Sequence, residues 1–232
     1  MAITRPHISI INLNVNALNS PIKRHEVAEW IKKQNPTIHC LQETLLRSKH
    51  KYRFKVKGWK MIFQANGIRR KARVVVLISD EIDFAIKKVK KDTEGHFIII
   101  KCIMYQEDIT LLNIYAPNQG APKYVKQLLK ELKGEIDQNT IVVEDLNTPL
   151  LDMDRLSKQK INTEITSSND TLDQLDIINI YRAFHPKTAA YTFLYIHMEH
   201  SQGSTTYWVT EIASTKIRGL KSQQPYSLII ML

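Results

Sequence analysis

Four short segments of the chain carry side chains suited to chemistry, and each follows a run of apolar or β-branched residues. Polar groups in such places fall at the ends of predicted buried strands, where an α/β fold collects its functional residues. One carboxylate could hold a metal, a second beside an amide could hold a water, and a phenol could contact a phosphate. That set suits metal-assisted phosphodiester hydrolysis. The segments are Leu13-Asn14-Val15-Asn16, Leu41-Gln42-Glu43-Thr44, Asn113-Ile114-Tyr115-Ala116-Pro117-Asn118 and Glu144-Asp145-Leu146-Asn147.

Each of these residues also has an ordinary structural interpretation. Asn14 could occupy a turn, Tyr115 could be a half-buried core aromatic, and Asn147 could cap a helix or a turn. The chemistry usually requires a histidine as well, and residues 201–232 contain none. The segments therefore indicate the chemistry without completing it.

The composition is that of a folded, basic protein. At 232 residues and 43% hydrophobic, the chain can bury a sizeable core and is most simply one large domain. Its net charge of +10 favours a polyanionic partner such as DNA, although a basic protein without such a partner fits equally well. Basic clusters in 49–57, 69–73 and 87–91 resemble a phosphate-tracking surface, although most charge runs are solvated faces.

Cysteines and hydropathy bear on the compartment. Cys40 and Cys102 lie within apolar runs and lack metal-ligand spacing, so we expect two buried, reduced thiols. No run approaches 18 apolar residues, and the amino terminus has no apolar signal core. We therefore expect a nuclear or cytoplasmic protein that is neither secreted nor membrane-inserted, and nothing indicates an obligate protein partner.

The apolar periodicity predicts strands that alternate with helices, several strands being adjacent pairs. This pattern favours an α/β fold with mixed sheets between helices over a purely parallel sheet. Helices are expected from Ser20-Pro21 onward, with Ile22 among the apolar positions, and over 123–136 and 172–180. Strands are expected over 7–14, 37–41, 59–65, 74–79, 97–104, 109–115, 140–143 and 191–193.

From about Ile8 to Phe193 the chain resembles the endonuclease domain of the second open reading frame of mammalian long interspersed (non-LTR) retrotransposons. That domain belongs to the apurinic/apyrimidinic endonuclease-like branch of the endonuclease/exonuclease/phosphatase superfamily. The resemblance rests on the four segments above and on further matches: Leu18-Asn19-Ser20-Pro21-Ile22-Lys23-Arg24-His25, 113–122, Asn147-Thr148-Pro149-Leu150 and 181–187.

The resemblance implies a four-layer α/β sandwich, a divalent metal (Mg²⁺, with Mn²⁺ as the alternative) and nicking of DNA. Matched by position, Glu43 would be the metal ligand with Asn14 beside it. Asp145 would orient or deprotonate the attacking water, Asn147 would hold the water or the phosphate, and Tyr115 would contact the scissile phosphate. The positions that would contact the DNA backbone or a flipped nucleotide are Arg155 and Thr192.

Several positions depart from the family. The family has glycine at Ala17, Arg73 and Glu144, and phenylalanine at Leu146. A glycine position often requires a positive φ, so Ala17 and Arg73 are expected to strain turns. Glu144 adds an anion beside Asp145, which could raise the pKa of that carboxyl group or capture metal wrongly.

The carboxy-terminal part departs further. The family there has a serine–lysine–isoleucine/valine–aspartate–histidine segment and a final serine–aspartate–histidine, and neither is present. Thr205 and Thr206 stand at the first Asp-His, and 228–230 at the last. With suitable codons read one base out of register, 204–210 gives Val-Asp-His-Ile-Leu-Gly-His and 226–232 gives Phe-Ser-Asp-His-Asn-Ala.

Because both expected motifs return at one shared offset, we interpret 194–232 as an out-of-frame tail on an endonuclease-like domain at 1–193. The same shift would leave the chain without a following reverse transcriptase. Closing strands are then expected to be missing or altered, with an unpaired sheet edge and aggregation. Alternatively, the apolar tail residues 207–209 and 228–232 could replace those strands in a register that was never selected. Three functions compete: a metal-dependent DNA endonuclease by descent that is inactive or crippled in this copy, a non-catalytic DNA-binding remnant, and a relic without a selected role.

Overall fold

The computed structural model describes residues 8–47, 53–66, 71–117 and 119–145, together with strands at 177–179, 195–198, 205–214 and 229–231. Both described helices have a proline at one of their first two positions, where its missing N–H costs no helical hydrogen bond. The elements in chain order are β1 (Ile8–Asn14), α1 (Pro21–Gln34), β2 (Ile38–Gln42), β3 (Leu46–Arg47), β4 (Trp59–Asn66), β5 (Lys71–Ser79), β6 (Phe84–Lys91), β7 (Phe97–Met104), β8 (Glu107–Tyr115), α2 (Ala121–Leu132), β9 (Thr140–Asp145), β10 (Ile177–Asn179), β11 (Tyr195–Met198), β12 (Thr205–Ser214) and β13 (Ile229–Met231).

The strands form two mixed sheets. The first sheet has the order β11-β12-β1-β2-β5-β3, with β4 also paired to β5, and the second has the order β10-β13-β9-β8-β7-β6. Only the pairs β1–β2 and β8–β9 are parallel, and every other described pair is antiparallel. The predicted mixed α/β architecture is confirmed.

Three apolar clusters stack the elements in four layers. Ile10, Cys40 and Val76 of the first sheet face Ile100 and Val143 of the second in a common interior. A second cluster joins the other face of the first sheet to α1, and a third joins the other face of the second sheet to α2. The result is a helix–sheet–sheet–helix sandwich held by apolar burial at each interface. Both cysteines are buried free thiols.

The tail contributes strands to both sheets. β12 pairs with the whole length of β1, from Ile8 opposite Ser214 to Asn14 opposite Trp208. β13 lies between β10 and β9, with Ile229 opposite Val142. The expected unpaired edge is not found at β1 or β9, because apolar and β-branched residues of the tail pair there. The alternative, substitution by apolar tail residues, is the one the structure supports. The closing strands are altered in sequence and present as strands.

Other predictions need correction. Residues 177–179 form a strand where a helix was predicted over 172–180, because this short apolar run pairs with β13. Ile22 is 61% exposed and does not join the core under α1. The lysine-rich β6 was not predicted as a strand, since its charges hide the alternation. The strand predicted over 191–193 lies outside the described residues. No helix in the described part of the chain is long and apolar enough to cross a membrane.

The two expected turn strains have different outcomes. Ala17 has a φ of 72°, in the left-handed region that favours glycine, so this expectation is confirmed. Arg73 lies within β5 and is not among the described residues with positive φ, so a strained turn there is wrong. Its backbone carbonyl accepts a hydrogen bond from the Thr44 N–H at 3.0 Å.

Replacing Ala17 with glycine is expected to stabilise the fold by about 1 kcal/mol, because the left-handed conformation costs a residue with a Cβ about 1–2 kcal/mol. Urea unfolding of the purified protein measures the change. Ala28→Gly, in the buried face of α1, is the control and should destabilise by about 1 kcal/mol. A loss of stability in both variants would show that the turn at Ala17 is not strained.

Candidate active site at the ends of four strands

Two parallel strand pairs bring four of the predicted site residues to one end of the sandwich. In the first sheet, Asn14 of β1 is in register with Gln42 of β2, directly before Glu43. In the second sheet, Tyr115 of β8 is in register with Asp145 of β9. Asn14 and Glu43 are called the first half-site below, and Tyr115 and Asp145 the second half-site.

Buried amide side chains connect the two sheets directly behind these half-sites. Gln42 Nε2 donates to Asn113 Oδ1 at 3.1 Å and to the carbonyl oxygen of Ile114 at 2.9 Å. Asn12 Nδ2 donates to the carbonyl oxygen of Glu144 at 3.0 Å. Since each bond joins a residue of the first sheet to one of the second, the strand ends that carry the two half-sites lie at the same end of the sandwich.

Two strained backbone segments shape the first half-site. Asn16 and Ala17 after β1 have positive φ, as do Glu43 and Leu45 after β2. Loop residues of the two segments pair through the bond from the Ala17 N–H to the Glu43 carbonyl oxygen, at 2.8 Å. Left-handed conformations of non-glycine residues cost energy and concentrate at functional sites, where the surrounding structure holds them.

Two cations of α1 hold the first of these segments. Lys23 Nζ donates to the carbonyl oxygen of Asn16 at 2.7 Å. Arg24 Nη1, in a buried side chain, donates to the carbonyl oxygens of Leu18 and Asn19, both at 2.8 Å. Burial lowers the pKa of Lys23, while the Glu26 and Glu43 carboxylates oppose that shift, so a cation lies within electrostatic range of the first half-site.

His96 holds Tyr115 in the second half-site. The His96 Nδ1–H donates to the Tyr115 carbonyl oxygen at 2.9 Å, and the Tyr115 N–H donates to the His96 carbonyl oxygen at 2.8 Å. Their rings are nearly parallel, with centroids 6.3 Å apart, and the Tyr124 ring lies 5.3 Å from His96 on another side. Burial raises the pKa of Tyr124, and the Asp92 and Glu94 carboxylates add to that effect.

Glu144 does not share a face with the second half-site. Successive residues of a strand alternate between faces, and Glu144 is in register with Ile114, which packs toward α2. Tyr115, one residue further, belongs to the interior between the sheets. The register therefore assigns the Glu144 side chain to the α2 side, opposite to Tyr115. The effect of this extra anion on the neighbouring Asp145 carboxyl group stays a prediction.

The donors of the first half-site fit a hard divalent cation. Glu43 is partly exposed, so its carboxylate can reach an ion that keeps several waters, as Mg²⁺ does. Asn14 Oδ1 accepts a hydrogen bond from the Asn16 N–H at 2.9 Å, and amide oxygens are among the ligands that hard divalent cations accept. Within the described ranges, no group of three or more His, Cys, Asp or Glu side chains could hold a metal, so binding there would rely on water ligands.

The lysines of the basic cluster at 87–91 lie on the edge strand β6, and three of them form ion pairs with acidic residues outside this strand. Lys87 pairs with Asp108, and Lys88 and Lys90 lie 2.9 and 3.9 Å from Glu135 Oε1. Lys91 Nζ lies 5.2 Å from the centre of the Phe63 ring. Lysines on an edge strand also discourage pairing with other chains. For this cluster the solvated-face interpretation fits better than a phosphate-tracking surface.

The remaining predicted site residues are described less fully. Asp145 is placed by its backbone register at the end of β9. Asn147, Arg155 and Thr192 lie outside the described residues. The sequence interpretation missed roles for Asn12, Gln42, Lys23 and His96. A signal for the first two was available, because amides at alternate positions of apolar strands mark one polar face.

Comparison with solved structures identifies the fold. An AP endonuclease from Archaeoglobus fulgidus is 18% identical, with a TM-score of 0.60 over 87% of this chain and 86% of that chain. The endonuclease domain of TRAS1, a telomere-specific non-LTR retrotransposon, is 12% identical, with a TM-score of 0.58 over 87% and 84%. The AP endonuclease LMAP from Leishmania major is 16% identical, with a TM-score of 0.62 over 88% and 78%.

No protein-family model matches the chain. At identities of 12–18% the structural likeness establishes the fold. This chain therefore has the fold of apurinic/apyrimidinic endonucleases and of a non-LTR retrotransposon endonuclease domain, as its sequence motifs predicted.

Proposed function

We propose that this chain is a metal-dependent DNA endonuclease by descent, which nicks phosphodiester bonds slowly because the family histidine is absent. The observation that supports the proposal is that buried amides join the two sheets directly behind the strand ends that carry Asn14 with Glu43 and Tyr115 with Asp145. Solved structures with this fold are named as endonucleases, including one from a non-LTR retrotransposon.

Each half-site would contribute a separate part of the reaction. Glu43, with Asn14 beside it, would hold Mg²⁺ or Mn²⁺, and the bound ion would polarise a phosphoryl oxygen as a Lewis acid. Asp145 would orient the attacking water and accept its proton as the water oxygen adds to phosphorus and a phosphoester bond breaks. Asn147 would hold the water or the phosphate.

The DNA would be held by further residues of the family pattern. Tyr115 would contact the scissile phosphate, with its backbone fixed by His96, which directly precedes β7. Arg155 and Thr192 would contact the backbone or a flipped nucleotide. Because no histidine occurs over 201–232, the charge that grows on the phosphate would lack one neutralising donor.

Asp145→Asn is expected to slow Mg²⁺-dependent nicking of supercoiled plasmid by about 100- to 1000-fold, because the amide cannot accept the proton of the attacking water. Nicked-circle formation on agarose gels measures the rate. Asp108→Asn is the matched control, because Asp108 is exposed and pairs with Lys87 on the edge of the second sheet. Equal rates in both variants would remove Asp145 from the reaction.

A second function is a DNA-binding remnant without turnover, which the net charge of +10 and the absent histidine favour. Its signature would be plasmid binding without nicking, with an affinity that falls steeply as salt is raised. A relic with no selected role would instead fail to show a cooperative unfolding transition. In all three cases residues 1–193 would be the family-like part of the domain, the divergent tail would complete its sheets, and the protein would be nuclear or cytoplasmic.

A further inference from the structure

We infer that Gln42 is a positioning residue that sets the separation of the two half-sites, with Asn12 as a second, parallel link. The inference rests on the proposed function for its consequence in catalysis. Its geometric part stands on the contacts of buried amides between the sheets, independently of any reaction.

The Gln42 side chain bridges the sheets, and its hydrogen-bond partners determine which amide atom is the nitrogen. Its Nε2 donates to Asn113 Oδ1 at 3.1 Å and to the Ile114 carbonyl oxygen at 2.9 Å. A backbone carbonyl can only accept, so the atom facing Ile114 must be the nitrogen. Gln42 and Asn113 are both fully buried, so water does not compete for these bonds.

The bridge touches the residue next to each half-site. Gln42 directly precedes Glu43, and Ile114 directly precedes Tyr115. The second link, from Asn12 to the Glu144 carbonyl oxygen, also lies close to both half-sites. Asn12 precedes Asn14 by two residues on β1, and Glu144 directly precedes Asp145. The carboxylate for the metal and the groups for water and phosphate are therefore joined across the sandwich by two amide side chains.

Stability alone does not account for amides at these places. Much of the interior between the sheets is apolar, with Ile10, Val76, Ile100 and Leu111 fully buried. Asn12 Oδ1, Gln42 Oε1 and Asn113 Nδ2 have no hydrogen-bond partner in the described part of the chain, which is a cost of burial that an apolar residue would avoid. Directional bonds between two sheets fix a distance that apolar packing alone leaves adjustable.

A matched control exists in the same sheet. Gln64 of β4 is buried like Gln42, yet neither of its amide atoms has a partner in the residues described. Gln42→Met and Gln64→Met therefore remove the same chemical group from two buried positions on opposite faces of one sheet, and only the first removes a bond between the sheets.

The test measures the separation of the sheets and then the chemistry. Spin labels at Ile22→Cys on α1 and Lys130→Cys on α2 would lie on opposite outer faces, at exposed positions. Both native thiols are buried, and burial raises their pKa, so they react slowly with the label. Pulsed electron paramagnetic resonance then gives the distance between the helices in the parent chain and in each methionine variant.

We expect Gln42→Met to broaden or shift this distance and Gln64→Met to leave it unchanged. In a parent chain that nicks DNA, Gln42→Met should lower kcat at least tenfold in the folded protein. The affinity for Mn²⁺, read from the free-ion resonance signal, should stay within twofold, because Glu43 and Asn14 lie together in one sheet. A residue that only stabilised the fold would leave the kcat of the folded fraction unchanged.

The outcomes separate this inference from the proposed function. An unchanged distance in Gln42→Met, or the same change in both variants, would overturn the positioning role. A distance change specific to Gln42→Met would support that role even if the parent chain fails to nick. That second result would overturn the proposed function alone.

Discussion

Correcting the reading frame after residue 193 is expected to raise the rate of DNA nicking by about 100- to 1000-fold. The correction would restore the two Asp-His motifs that the out-of-frame interpretation places in the tail. One positioned histidine that neutralises charge or transfers a proton contributes about this much to a rate. Histidine and its aspartate act as a unit, so restoring both should raise the rate by about as much as one group contributes and not by the product of two such factors.

The corrected and parent proteins should be compared at equal folded concentration, because the tail also supplies strands to both sheets. In the corrected protein, replacing the last restored histidine with alanine should return the rate to the parent level. The genomic nucleotides give an independent check. If no single-base slip between codons 192 and 200 restores both motifs, the out-of-frame interpretation is wrong.

Acidification is expected to destabilise the fold through His39, which lies in the centre of the first sheet. His39 is 0% exposed, and both of its ring nitrogens lack a hydrogen-bond partner in the part of the chain that the structure describes. Its ring lies 5.6 Å from that of Trp30 on α1. Burial lowers the pKa of His39 to about 3, because an imidazolium there would be desolvated.

Stability falls with falling pH because the unfolded chain takes up a proton that the folded chain does not. An exposed histidine has a pKa of about 6.5, so below that pH His39 binds a proton in the unfolded chain and stays neutral in the folded chain. Stability from this group is therefore complete above about pH 6.5 and falls as the pH approaches 3. At pH 5 the loss should be about 2 kcal/mol, from 1.36 kcal/mol per pH unit.

Urea unfolding at pH 7.5 and pH 5 measures this effect in the parent and in His39→Leu. The variant should lose about 2 kcal/mol less stability between the two pH values. It should also be more stable at pH 7.5, because two unpartnered polar atoms leave the core. His25→Leu on the exposed side of α1 is the control. Equal acid sensitivity in the parent and His39→Leu would rule out the buried histidine as its cause.

The strands of the core could be predicted from sequence because their residues are apolar and β-branched. The runs at 97–104 and 109–115 are examples, and both are strands in the structure. Strand β6 escaped this reasoning because Lys87, Lys88, Lys90 and Lys91 dominate its composition. Its stability comes from pairing with β7, and several of its lysines pair with acids from other elements. Local composition contains neither contribution.

The candidate site could be predicted as far as its strand ends and no further. Asn14, Glu43, Tyr115 and Asp145 follow apolar runs, so their arrival at one end of the sheets follows from strand geometry. The roles of Gln42 and Asn12 in holding these residues were not predicted. Gln42 bonds to a residue 71 positions away in the sequence, and Asn12 bonds to one 132 positions away. Pairings of that range depend on how the two sheets face each other, which only the folded chain determines.

The most direct measurement is nicking of supercoiled plasmid by the purified, folded protein with Mg²⁺, with EDTA, and in Glu43→Ala. We expect slow nicking with Mg²⁺ that EDTA abolishes and that Glu43→Ala also abolishes, while Glu29→Ala on the exposed face of α1 nicks like the parent. Nicking that survives EDTA or Glu43→Ala would contradict the account. So would the absence of nicking from folded protein, which would favour the DNA-binding remnant.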